Sequence, residues 1–272
     1  MGNAHNIGKD SWSREELLAS LEEFAEIYDR RPIKDNEGGM KAPQMFYVWF
    51  VAKQLQPTVI IESGVWYGQS TWMFEQAVPN ATLHCIDPAK HYNKGYRSTK
   101  AIYHKKDFTT LDWSGIDTKN TFCFFDDHQN ALHRILHCAE LGIEHLMFED
   151  NYPPGIGDCY SLKKAFHPTE KNDILPGLSI SDYLHHIIEN YREFPPIFAA
   201  EKNRWGNDWN HYDTNPPLLQ KPEHPFEEVY LDEAMNYTWI NYVRLAPKKE
   251  RSTLLDLTKG KGKRKIDWPS MR

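Results

Sequence analysis

The amino-acid sequence predicts an α/β fold, a doubly wound and mostly parallel sheet with helices on both faces. Two observations carry this expectation. Short apolar, β-branched or aromatic runs alternate with helix-length segments between residues 57 and 148. Four of these runs end in acidic residues, and the first also ends in glycine; in an open α/β sheet that edge faces the ligand crevice. An irregular insertion is expected before the last strands.

Taken in order, residues 1–9 carry no periodic signal. Ser11 or Ser13 caps a helix over about 14–29, because Glu15 and Glu16 follow and Leu17, Leu18, Leu21, Phe24, Ala25 and Tyr28 recur at helical spacing. Pro32 to Pro43, with Gly38 and Gly39, reads as a loop. A helix over about 43–55 is apolar on most sides and so is expected to be buried. Strands follow at 58–61, ended by Glu62-Ser63-Gly64; at 81–86, ended by Asp87; more weakly at 101–103; at 121–125, ended by Asp126-Asp127-His128; and at 144–148, ended by Glu149-Asp150. Helices fit at about 69–77 and 129–141, the second closed by Gly142. Residues 151–223 lack a clean period apart from a helix near 180–193, and strand-like segments return at 227–230 and 237–244. The domain reading is an N-terminal helical cap (1–56), a main domain (57–250) holding the insertion, and a basic tail (251–272). A stretch of that length without structure suggests a lid or binding surface.

Bulk properties narrow the function classes. The chain has 272 residues, 40% hydrophobic and 26% charged, which suits one large α/β domain. Net charge is −6, against general nucleic-acid binding. One basic run, Lys259 to Lys265, reads either as a solvated tail or as a polyanion contact. Four cysteines show no metal-site spacing, and Cys85 and Cys123 fall in apolar runs. With no run of 18 apolar residues and a mean hydropathy of −0.68, a reduced, cytoplasmic protein without membrane partners is expected. A homo-oligomer is left open.

The most informative segment runs from Val59 to Thr71, where a strand enters a turn with Gly64 and Gly68 four apart and then a helix start. Glycine admits positive φ and close approach of a ligand to the backbone. The helix N-terminus behind it suits an anion. Asp87, closing the next strand, is placed to accept from two ribose hydroxyls. A turn that serves only to pack helix on strand is the plainer alternative. A nicotinamide-dinucleotide site would show GxGxxG, which is missing here.

Glu62-x-Gly64-x-x-x-Gly68-x-Ser70 resembles motif I of class I S-adenosylmethionine-dependent methyltransferases, in particular the small-molecule O-methyltransferases of the catechol and caffeoyl-CoA type. That likeness implies a Rossmann-like methyltransferase sheet. It also places Glu62, Gly64 and Ser70 around the methionine end of the cofactor, Ser70 on its carboxylate, Asp87 on the ribose and Asp107 near the adenine, with Trp66 and Gly68 also in the cofactor site.

The two acidic clusters, Asp126-Asp127-His128 and Glu149-Asp150-Asn151, would point at the same crevice. Several carboxylates buried together call for a cation, and oxygen ligands without thiolates suit Mg²⁺, with Mn²⁺ or Ca²⁺ as alternatives. The pairing of these clusters looks like that of the cephalosporin-hydroxylase-type and macrocin-type enzymes, and Asp150-Asn151 followed by Pro-Gly is similar to the catechol type. The resemblance spans residues 57–155. It implies Asp126, Glu149 and Asp150 as metal ligands, with Asn151 as a substitute and Asp127 competing with Asp126. His128 is the candidate base, or else structural, with Asp127 beside it. Trp205, Trp209, His211 and Tyr212 are expected to form an acceptor wall or to close the core. The function expected is O-methylation of a small molecule or sugar with a divalent cation. The alternatives are a metal-independent N-methyltransferase of a small amine and a non-catalytic binder of S-adenosylmethionine.

Overall fold

Ser13 begins the first regular element. Its hydroxyl accepts from Glu16 N at 3.2 Å while Glu16 Oε2 accepts from Ser13 N at 2.8 Å, a reciprocal cap for α1 (Arg14–Ala19). The helix expected over 14–29 is in fact two, because α1 closes at Ser20, whose N–H bonds to Leu17 O, and α2 (Leu21–Asp29) starts afresh. α3 (Ala42–Leu55) has Pro43 in its first turn and is buried on nearly every side, as its sequence requires. The computed structural model describes residues 7–167, 173–175, 178–209 and 211–251. Residues 1–6 and the basic tail, apart from Arg251, lie outside the described residues, and so does the run Lys259 to Lys265.

The main sheet is then assembled from β1 (Val59–Ser63), α4 (Gln69–Ala77), β2 (Thr82–Ile86), β3 (Ile102–His104), β4 (Thr121–Phe125), α5 (Ala131–Leu141) and β5 (His145–Phe148). The insertion contributes α6 (Leu162–Phe166), a two-stranded ladder of β6 (Asp173–Leu175) and β7 (Leu178–Ser179), α7 (Ile180–Ile187) and β8 (Ile188–Glu193). α8 (Glu228–Asp232) and β9 (Asn241–Leu245) complete the chain. Strand order is β3-β2-β1-β4-β5-β9-β8; β1 pairs parallel with both β2 and β4, β5 parallel with β4, and β9 antiparallel to β5 and β8. This is the doubly wound sheet the sequence predicts.

Alternate residues serve opposite faces. Ile60, Phe122, Phe124 and Met147 join α1 to α4 in one core, while Ile61, Cys123, Phe125, Leu146 and Phe148 join α5, α6 and α7 in the other. Each such fully buried aliphatic or aromatic side chain stabilises by about 1.5–3 kcal/mol, so both faces anchor the sheet firmly. The N-terminal helices therefore share a core with the strands.

Two expectations change. The segment 180–193 is helical only to Ile187; from Ile188 it is extended, because its backbone pairs with β9. Residues 227–230, read as a strand, are helical: Pro225 occupies a first-turn position and the Glu227 carboxylate accepts from His224 N, start signals that outweigh the short apolar run. All four cysteines are buried free thiols. Among the described residues no helix is long and apolar enough to cross a membrane.

Candidate functional site

Register puts the informative residues on one edge. Ser63 is level with Ile86 and Phe125, and Phe125 with Phe148, so the segments after β1, β2, β4 and β5 leave the sheet side by side. The order reverses between β1 and β4, the switch point where a crevice opens. A cavity of about 500 Å³ lies there, bounded by the turn after β1, the end of β2, Asp107, the turn after β4 and the 38–39 glycines.

The turn after β1 is built on backbone crowding. Gly64 has φ +93°, and a Cβ there would sit 1.9 Å from Asp126 O. Gly68 has φ +85°, and its Cβ would meet Tyr96 O at 2.0 Å. Gly64 lines the cavity; Gly68 packs the helix start against the 91–98 loop. Trp66, also left-handed at φ 50°, lines the cavity and donates from Nε1 to Glu37 O at 2.9 Å, which ties the N-terminal loop over this edge.

Asp87 lines the cavity, and its two oxygens each accept one backbone N–H, from Trp66 at 3.0 Å and Lys90 at 2.8 Å. That fixes the carboxylate while leaving lone pairs on both oxygens. Glu62 and Ser70, expected around the methionine end of a cofactor, do not line the cavity. The Glu62 carboxylate instead accepts from Thr71 Oγ1 at 2.5 Å and Cys85 Sγ at 3.2 Å, and the Ser70 hydroxyl turns toward it. Burial pushes the Glu62 carboxyl up to about 7, and Oε1 has no hydrogen-bond partner.

Asp107 meets an unanticipated residue. Arg134 on α5, 3% exposed, donates to both Asp107 oxygens (3.0 and 2.6 Å) and to Asp127 Oδ2 at 3.0 Å. The guanidinium holds the Asp107 carboxyl well below the usual carboxylate range, with Thr109 adding to the effect. Asp127 also accepts from Ser63 Oγ at 2.6 Å and Gln129 N at 3.2 Å, so it braces the turn and is not poised as a base. The clue to Arg134 was present: an arginine on the apolar stripe of Ala131, Ile135 and Cys138 requires an acidic partner.

The acid cluster is partly the one expected. Asp126, His128 and Asp150 bring one ligand atom each within 4.8 Å of one another. Asp150 is buried, yet neither of its oxygens makes a hydrogen bond; Oδ2 lies 3.2 Å from His128 Nδ1. Asp126 is pushed well above its ordinary range by burial and then by Asp150, Asp127 and Glu62. His128, at φ 54°, is opposed in its charge by burial but raised on balance by Asp150, Asp158 and Asp127. The surrounding carboxylates therefore favour its charged form.

Two expected ligands are otherwise engaged. Glu149 accepts from Gln44 Nε2 at 3.1 Å and stands outside the ligand group; burial, then Asp150 and Asp126, raise its carboxyl well above the normal range. Asn151, fully buried, donates to Tyr191 OH (2.9 Å) and Trp239 O (3.0 Å) and accepts from Lys163 N (2.9 Å). Its amide is a brace, which corrects its assignment as a ligand.

Beyond β5, Trp205 stacks on Trp239 (6.3 Å between centroids) and meets Tyr152 edge-on (5.2 Å), while Tyr212 packs edge-on against Trp239 (5.5 Å). His211 touches Tyr212, and Trp209 lines a separate small hollow beside Asn203. Arg204 lies over both Trp205 and Tyr152, hydrogen-bonds the Tyr152 hydroxyl, and its charge reaches Asp126. Tyr152 and Arg204 escaped the sequence reading because each sits in a segment without periodicity, and Trp239 because its segment was read only as a strand.

Sheet, turn and acidic edge together define a Rossmann-like α/β protein with its cavity at the switch point. No family model matches the chain, and no curated protein matches it. Among the solved structures to which it is similar, several are methyltransferases by description. The O-methyltransferase TomG from Streptomyces achromogenes, in complex with S-adenosylmethionine, overlaps 53% of this chain and 67% of its own at 18% identity and a TM-score of 0.36. An O-methyltransferase from Bacillus cereus in complex with S-adenosylhomocysteine overlaps 48% and 66% at 13% identity and a TM-score of 0.32. A tRNA methyltransferase, TrmI from Aquifex aeolicus, overlaps 78% and 72% at 9% identity and a TM-score of 0.43. This chain spans 65% of the length of two further matches. Overlaps this partial bear on neither substrate nor residue roles.

Proposed function

We propose that this chain is an S-adenosylmethionine-dependent O-methyltransferase acting on a hydroxyl of a small molecule or sugar, assisted by a divalent cation. The observation that carries the reading is the continuity of one sheet edge. Asp87, held by two backbone N–H groups, faces the same cavity as the acidic turn after β4. A carboxylate fixed in this way suits a pair of ribose hydroxyls. Asp87, Asp107, Asp126 and Asp127 line the cavity, and Arg134 is committed to two of them, Asp107 and Asp127.

S-adenosylmethionine supplies the methyl group when bound. The chain's part is to hold and orient. Gly64 keeps the backbone of β1 against that of Asp126, Trp66 ties the 37–39 segment over the cavity, and Arg134 clamps Asp107 to Asp127. Alignment of reactants of this kind is a large source of rate in group transfer. The buried, unbonded oxygens of Asp150 beside Asp126 fit a cation, which would lower the pKa of an acceptor hydroxyl. Arg204, whose charge reaches Asp126, and the Trp205 and Tyr152 rings against it offer the acceptor side.

Titration calorimetry with S-adenosylmethionine and S-adenosylhomocysteine tests the donor. The wild type is expected to bind both, and Asp87→Ala to weaken each by about 10–100-fold, the loss of hydrogen bonds to a charged group. Absence of heat with either compound on the wild type would overturn the assignment. Turnover on hydroxylated aromatics and sugars, with and without chelator, then tests the acceptor and the cation.

A further inference from the structure

We propose that His128 is the third protein ligand of the divalent cation, beside Asp126 and Asp150, and that the site therefore prefers manganese to magnesium. This rests on the cation part of the function proposed above. It departs from the ligand set implied by the sequence resemblance, in which Glu149 accompanies the two aspartates and Asn151 is a substitute.

The first argument is which groups are free to coordinate. Asp150 presents two buried oxygens with no hydrogen bond, next to the half-buried Asp126. Glu149 has one oxygen on Gln44 of α3 and falls outside the group of three ligand atoms, and Asn151 is committed to Tyr191, Trp239 and the Lys163 backbone. The imidazole of His128 completes a group of three whose ligand atoms lie within 4.8 Å of one another.

Orientation is the second. His128 follows the end of β4 in a left-handed conformation, φ 54°, an unfavourable one for a non-glycine residue unless its surroundings enforce it. Nδ1 lies 3.1 Å from Asp158 Oδ1 and 3.2 Å from Asp150 Oδ2. Nδ1 therefore already faces Asp150, its proposed co-ligand, with Asp158 against the same nitrogen. A second group of potential ligands, Asp150 with Asp158 and Cys159, shares the same aspartate, but the Cys159 thiol already donates to the Asp150 backbone oxygen at 3.4 Å.

Chemistry supplies the preference. Magnesium takes oxygen ligands and sheds water reluctantly, whereas imidazole favours the first-row transition ions. Manganese accepts both donor types, so two carboxylates and one imidazole suit it better than magnesium.

The test is electron paramagnetic resonance of Mn²⁺ added to the full chain, with Mg²⁺ in competition. His128→Gly removes the ring and suits the left-handed backbone; Glu149→Gln is the comparison variant. Manganese is expected to bind about tenfold or more tighter than magnesium, with echo modulation from a directly bonded nitrogen. His128→Gly should abolish that modulation and weaken manganese about tenfold, changing magnesium much less; Glu149→Gln should keep the modulation. Normal manganese binding without nitrogen modulation, or loss of binding in Glu149→Gln but not His128→Gly, would overturn the ligand assignment while the cation reading stands. No manganese binding at all would overturn both, and calorimetry with S-adenosylhomocysteine would show whether the methyl-donor reading survives alone.

Discussion

The carboxylates at the cavity edge are held in three different ways. Asp87 is fixed by backbone N–H groups, Asp107 and Asp127 by Arg134, and Asp150 by no hydrogen bond of its own. Arg134 is the residue whose loss separates these cases. Arg134→Met would leave Asp127, 13% exposed, without its cation inside the wall, whereas Asp107, 44% exposed, can be partly rescued by water. Removing one partner of a buried ion pair costs about 3–5 kcal/mol, and solvent at Asp107 puts this variant near the lower figure. Urea unfolding of Arg134→Met against wild type is the measurement, with an expected loss of about 3 kcal/mol; a loss below about 1 kcal/mol would mean the triad is ornamental.

Among the elements, the turn joining β1 to α4 is the most constrained. Its glycine at 64 has a backbone that L side chains rarely adopt and no room for a Cβ, since the obstacle is the main chain of Asp126 and cannot swing aside. Gly64→Ala is therefore expected to destabilise by at least about 2 kcal/mol and to push the β4 turn outward. Thermal unfolding and calorimetry together check this: both stability and donor binding should fall. A variant that binds S-adenosylhomocysteine as wild type does would show that the two turns are not packed as described. The same crowding explains why the segment reads so plainly in sequence. Strand, glycine and helix start are local, and so is the capping box at Ser13. The change from helix to strand at Ile188 is not local, because it is imposed by pairing with β9 some fifty residues later in the chain.

Across the whole molecule several buried groups respond to pH, and two of them respond in opposite directions. His145, on β5 and hydrogen-bonded with Tyr242 at 2.6 Å, is lowered by burial from 6.5 to about 4. The unfolded chain takes that proton first, so the contribution of neutral His145 is lost as pH falls from 6.5 toward 4. Glu62 is raised by burial from 4.5 to about 7, so its contribution is complete below 4.5 and is lost as pH rises toward 7. Each is worth on the order of 3 kcal/mol, and over the shared range they offset one another. Glu62→Gln should unmask the difference: little change from wild type at pH 4.5, and greater stability than wild type at pH 8. Denaturant midpoints at the two pH values decide it. An equal shift at both would rule out the buried charge as the cause.

By itself the sequence determined the order of strands and helices from β1 to β5, the acidic sheet edge and the glycine turn, because side-chain period, turn chemistry and strand-end position are properties of neighbouring residues. Glu62 and Asp87 could be located that way; whether each faces the cavity could not, and only Asp87 does. Tertiary structure decided which carboxylates are free. Gln44 takes hold of Glu149 from 105 residues away, Arg134 occupies Asp107 and Asp127 across the α5 packing, and Asn151 is held by Tyr191 and Trp239. A carboxylate's chemistry depends on its hydrogen-bond partners and on exclusion of water, and those come from residues distant along the chain that folding alone brings within reach.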